Sequence, residues 1–85
     1  MADAPIILSE WLRSGRETIR VSLSRYRGGM TSDFRDWYSE AGTLKPGRKG
    51  FALSVKHLHK LEAAIATAIR IAEAEGALVA KEAGR

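Results

Sequence analysis

An 85-residue chain without cysteine is one small domain with no disulfide or thiolate-held metal to support it, so a partner subunit is its remaining route to a sufficient core. The net charge of +4 is unevenly placed: residues 13–56 carry ten Lys/Arg against four Asp/Glu, and residues 61–85 carry three against four. That asymmetry points to a polyanion-binding surface in the front and middle of the fold. No apolar run approaches the ~20 residues of a membrane span. The acidic start and the short run Ile6-Ile7-Leu8 do not make a signal peptide. The chain therefore reads as intracellular.

In chain order, residues 1–16 are an N-terminal arm or a short helix. Pro5 suits a first helical position, Ile7, Leu8, Trp11 and Leu12 supply apolar contacts and Gly15 a stop, but an extended segment fits equally. "ETIRVSLSRY" alternates Ile19, Val21 and Leu23 with Arg20, Ser22 and Ser24, the period of a half-buried strand. Gly28-Gly29 fits the positive-φ positions of a tight hairpin turn. "MTSDFRDWY" is the returning strand, and its imperfect alternation predicts a bulge or strong twist. "SEAG" is a second turn. Within "LKPGRKGFAL", Pro46-Gly47 fits the centre of a type II turn, which fixes the directions of Lys45 and Arg48, and "FAL" is a short apolar strand.

From Ser54 as N-cap to about Glu75 the spacing predicts a helix, stopped by Gly76. Its stripe is Leu58, Leu61, Ile65, Ala68, Ile69 and Ala72. Val55, Ala64 and Ile71 widen the apolar arc to roughly 200°, where one sheet needs about 100°. A homodimer packed through this stripe uses the surplus; cover by the N-terminal segment is the alternative. Residues 17–76 form the working domain and residues 77–85 a tail.

Catalysis finds little support. His57 and His59 sit roughly 200° apart on a helix and cannot grip one metal ion. Asp33, Asp36 and Glu40 surround Arg35 and read as a solvated strand with cross-strand ion pairs. The serines lack a partnered His/Asp pattern, and neither glycine-rich turn has P-loop spacing. No metal or cofactor is expected. What remains is a constellation of cations and rings: Arg25, Tyr26 and Arg27 at the hairpin, Arg35 with Trp37 and Tyr38 on the next strand, and Lys45, Arg48 and Lys49 on the stiff loop. Single-stranded nucleic acid is held in this way, with cations along the phosphates and aromatic faces on unpaired bases.

"RVSLSRYRGGMTSDFRDWY", then "LKPGRKGFALS", then one long helix, resembles the DNA-binding domain of the transcriptional coactivator family called positive cofactor four, over about residues 18–75. The Lys-Pro-Gly-Arg-Lys-Gly segment is the most specific part. The resemblance implies an α+β fold, a four-stranded curved antiparallel sheet followed by one long C-terminal helix, and a homodimer packed through the helices. It implies binding of single-stranded DNA or melted duplex with little sequence preference, in transcription and its regulation. RNA as a ligand, the transcription machinery as a partner, and support of repair, recombination or replication stay open. A bacterial cytoplasm or nucleoid is the expected compartment, a nucleus if the source is eukaryotic. Carried over by position, Tyr26 is a stacking ring with Arg27 beside it, Arg35 follows, Tyr38 is the second ring, and Lys45, Arg48 and Lys49 contact phosphates. Strand parity instead puts Trp37 on the face of Arg35, so Trp37 stands as the second choice. Gly29 replaces a family lysine, and the acidic regulatory tail of eukaryotic members is absent from residues 1–16. A dimeric adaptor for acidic partners and a double-stranded DNA regulator are the alternative functions.

Overall fold

The computed structural model describes residues 4–79, in two compact units divided after Val55. The first unit is an open sheet of four antiparallel strands in the order β1-β2-β3-β4: β1 Ile6–Ser14, β2 Glu17–Tyr26, β3 Gly29–Glu40 and β4 Thr43–Ser54. A short 3₁₀ turn, Val55–His57, falls at the division, and the second unit carries α1, Leu58–Ala74. The expected tail overlaps this description only at residues 77–79; residues 80–85 and 1–3 lie outside it.

The segment read as an arm or short helix is the edge strand β1. Its alternation is broken at Leu8 and Arg13, where the β1–β2 register shifts. The first β2–β3 turn falls one residue earlier than expected, on Arg27-Gly28, with Tyr26 paired to Gly29. Both turn residues have positive φ, 51° and 81°, and Ala41-Gly42 repeats the pattern at 53° and 82°. These are the values of a two-residue type I′ turn, whose twist matches that of the flanking strands.

The type II turn expected at Pro46-Gly47 does not form. Both residues belong to β4, which runs through "FAL" to Ser54. Proline is tolerated there because β4 is an edge. Trp37 pairs with Pro46 and Arg35 with Gly50, so Gly47, Arg48 and Lys49 bulge out opposite the single residue Asp36. Two glycines are required by close approach. A Cβ on Gly47 would lie 2.9 Å from the Asp36 carbonyl oxygen, and one on Gly50, whose φ is 141°, would lie 2.7 Å from Arg35 Cα. The irregularity sensed in "MTSDFRDWY" is therefore a bulge in its β4 partner, while the β2–β3 ladder is continuous.

Register sorts the sheet into two faces. One carries Ile6 and Trp11 of β1, Ile19, Val21 and Leu23 of β2, Met30 and Phe34 of β3, and Phe51 and Leu53 of β4. Phe34 and Phe51 stack with centroids 4.9 Å apart, and Ser32 Oγ donates to the Leu53 carbonyl at 2.8 Å. Even so, no hydrophobic residue among those described is buried, and Trp11 and Phe51 are about half exposed.

In the second unit Ser54 is not the helix cap. It ends β4, and His57 stands at the N-cap without a side-chain bond. The C-terminus closes as expected on Gly76. Its φ of 78° lets Gly76 N–H donate to Glu73 O and Ala77 N–H to Ala72 O, the paired bonds of a Schellman motif. Ile65, Ile69 and Ile71 of α1 are exposed.

Candidate nucleic-acid interface

The second face of the sheet is polar, with Arg20 and Arg35 set among carboxylates and hydroxyls. On β2 it presents Thr18, Arg20, Ser22, Ser24 and Tyr26, and directly opposite on β3 stand Trp37, Arg35, Asp33 and Thr31. Period-two alternation puts these residues on one side because β2 and β3 pair without a slip. On this face lies a groove of about 680 Å³, lined by Ile7, Arg20, Ser22, Tyr26, Asp33 and Trp37 among others.

Tyr26 is 62% exposed at one end, with the Arg27 guanidinium 5.3 Å from its ring centroid. At the other end Arg20 covers one face of Trp37, its guanidinium carbon 4.0 Å from the ring centroid. Arg20 Nε also donates to Glu10 Oε2 of β1 at 2.6 Å. Sequence reasoning missed Arg20, although its parity with Tyr26 along β2 was available as a signal.

Arg35 is on the same face of the sheet but already engaged. Its Nε and Nη2 donate to the two Asp33 carboxylate oxygens at 3.0 and 2.9 Å, and Nη1 donates to the Gly47 carbonyl at 3.3 Å. The hydrogen bonds that Arg35 donates to Asp33 raise its pKa above the ordinary value, with partial burial opposing them. A raised pKa means the pair loses its contribution only as pH climbs past the folded-state value. Arg35 is thus a cation throughout any working range.

The remaining expected site residues divide. Arg48 and Lys49 project on the bulge, exposed and without an ion pair to a described residue. They share a smaller hollow of about 240 Å³ with Trp37 and Tyr38. Trp37 therefore borders both hollows, and Tyr38 lies apart from the Tyr26 groove. By register Tyr38 pairs with Glu17 and Lys45, on the opposite face. Lys45 Nζ is bound to Glu40 at 2.9 Å, and Arg25 pairs with Met30, also on the opposite face. Asp36 is not solvated as expected: it is buried, with Arg13 Nη1 at 3.5 Å. Its Oδ1 and Trp37 Nε1 lack a hydrogen-bond partner among the described residues.

An antiparallel sheet with one apolar face and one face of cations and rings, followed by a helix, defines an α+β fold whose polar side suits a polyanion bearing planar groups. The family described as Transcriptional Coactivator p15 (PC4) matches residues 14–64, more than half of the chain, and the chain belongs to this family. A Drosophila melanogaster protein named RNA polymerase II transcriptional coactivator is 32% identical over 53 residues, which cover 62% of this chain and 46% of that protein. The matched stretch thus spans about half the length of that relative. No solved structure matches.

Proposed function

We propose that the chain binds single-stranded DNA on the polar face of its sheet, with little sequence preference, as a homodimer acting in transcription coactivation. One observation carries the reading: Tyr26 and the Arg20–Trp37 stack line the same open groove. Rings and guanidinium planes among cations fit unpaired bases, since every base offers a π-face. An acidic protein partner would need the cations alone, and the arginines of this face are partly spent on Glu10 and Asp33. The coactivator role rests on the family and on the name of the Drosophila relative. That relative lends no support to a bacterial compartment.

The dimer is supported by what a single copy leaves uncovered. Burying a side chain such as Phe51 or Ile65 stabilises by about 1.5–3 kcal/mol, and a single copy forgoes much of this on both the apolar sheet face and the α1 stripe. Leu58, Leu61, Ile65, Ala68, Ile69 and Ala72 are the proposed contact.

The test is a titration of labelled oligo(dT) and of matched duplex at two salt concentrations. Oligo(dT) should bind more tightly, with an affinity that falls as salt rises. Tyr26→Ala should weaken binding with the salt slope unchanged, and Arg48→Ala should both weaken binding and flatten the slope. Equal competition by duplex would reject the reading in favour of a double-stranded DNA regulator.

A further inference from the structure

The groove side of β2 carries Arg20, Ser22, Ser24 and Tyr26 in succession. Six residues of extended chain set Arg20 about 20 Å from Tyr26. The two are therefore separate stations, with the small hydroxyl residues Ser22, Ser24 and Thr31 lining the groove along with them. At the far station the order of layers decides what a ligand meets. Arg20 lies on the indole of Trp37 and is tied at Nε to Glu10. Its side chain is only 16% exposed, so it is held between two groups and does not range through solvent. That face of Trp37 is covered, and a base arriving there meets the guanidinium.

We propose that Arg20, tethered by Glu10 on the ring of Trp37, is a stacking subsite for an unpaired nucleobase, giving a base–guanidinium–indole sandwich; this rests on the single-strand reading above. Guanidinium planes accept bases as aromatic faces do. The indole beneath favours the flat-lying cation. Glu10 offsets the charge of Arg20, so the station selects for a planar ring over a phosphate. Strand β1 then belongs to the binding surface, because it supplies the tether. A lysine in place of Arg20 would keep the charge but lose the plane.

The experiment uses the full chain and labelled oligo(dT). Arg20→Lys is expected to raise Kd by about tenfold or more, the effect of one lost stacked base, with the salt slope unchanged. Glu10→Ala releases the tether and makes the chain more positive; it is expected to weaken binding despite the added charge. That variant carries the test if Arg20→Lys fails to fold. Wild-type affinity in Arg20→Lys, or tighter binding by Glu10→Ala, overturns the subsite. Weak binding by Tyr26→Ala beside normal binding by Arg20→Lys rejects the subsite and keeps the single-strand reading. No oligo(dT) binding by the unaltered chain rejects both.

Discussion

Asp33 is a carboxylate inside a groove proposed for a polyanion, and simple charge counting says that removing it tightens binding. The geometry predicts the reverse. Asp33 holds Arg35 through two hydrogen bonds, and Arg35 in turn reaches the carbonyl of Gly47, the first residue of the bulge that carries Arg48 and Lys49. Arg35 is a clamp on that bulge, and Asp33 sets its angle. Two terms compete when Asp33 becomes Ala. Losing a negative charge about 8 Å from a bound phosphate gains at most ~0.5 kcal/mol in water, less with salt. Freeing the bulge means ordering it again on binding, at about 1–2 kcal/mol for each residue fully released. With only part of the three-residue bulge set loose, the loss is about 1–2 kcal/mol, and the clamp term wins by about 1 kcal/mol. Asp33→Ala should therefore raise the Kd for oligo(dT) about fivefold, measured by fluorescence anisotropy at two salt concentrations. Arg35→Ala should also weaken binding while leaving the salt slope unchanged. Tighter binding by Asp33→Ala, with a slope flattened by about 0.7 in Arg35→Ala, would refute the clamp and make Arg35 a phosphate contact.

Arg27 and Ala41 hold the same left-handed turn position, which asparagine tolerates better than either. Ala41→Asn should stabilise the fold by about 0.5–1 kcal/mol in a denaturant titration without touching oligo(dT) binding, whereas Arg27→Asn should stabilise it similarly but weaken binding and flatten the salt slope. Gly50→Ala should cost more than ~3 kcal/mol, or abolish the cooperative melt, because its Cβ meets the β3 backbone at a φ of 141°; a melting curve like that of the unaltered chain would contradict the register. Ile69→Glu on the exposed stripe of α1 should convert the proposed dimer to monomer in sedimentation equilibrium, and unchanged mass would remove the helix from the interface.

The middle of the fold is legible because β2 and β3 each have one face that differs from the other. Ile19, Val21 and Leu23 alternate cleanly with Arg20, Ser22 and Ser24, and the β2–β3 ladder has no slip. Strand β1 hides its period because Leu8 and Arg13 are inserted at register shifts, so neither the strand nor the helix spacing is clean. Strand β4 hides behind turn chemistry. Proline and glycine in "KPGRKG" ordinarily reverse a chain; here Pro46 sits on an edge, and Gly47 and Gly50 make room for the backbone of β3. Only the partner strand reveals that use. Ser54 misled for a related reason: a good capping residue is consumed as the last member of a strand, paired with Thr31.

The candidate site divides along the same line. Parity alone puts Trp37 on the face of Arg35, and register keeps it there, while the family pattern favours Tyr38, which register puts on the other face. Charge is harder to read, because a cation's role depends on its neighbours across the ladder. The sequence offers six cations for the site: Arg25, Arg27, Arg35, Lys45, Arg48 and Lys49. Arg35 is taken by Asp33 and Lys45 by Glu40, and Arg25 points to the apolar side. Arg20 joins them unannounced, because a polar residue in an alternating strand usually means no more than a solvated face. The groove is lined by rings, hydroxyls and the pre-paired Arg20; Arg27 lies beside Tyr26, and Arg48 and Lys49 border the adjoining hollow, which Trp37 shares. On the proposed single-strand reading, Arg27, Arg48 and Lys49 act through phosphate and their effect depends on salt, whereas the groove acts through base planes and its effect does not. Substitutions at Arg20 and Tyr26 should therefore shift affinity at every salt concentration alike, and only those at Arg27, Arg48 and Lys49 should change its slope.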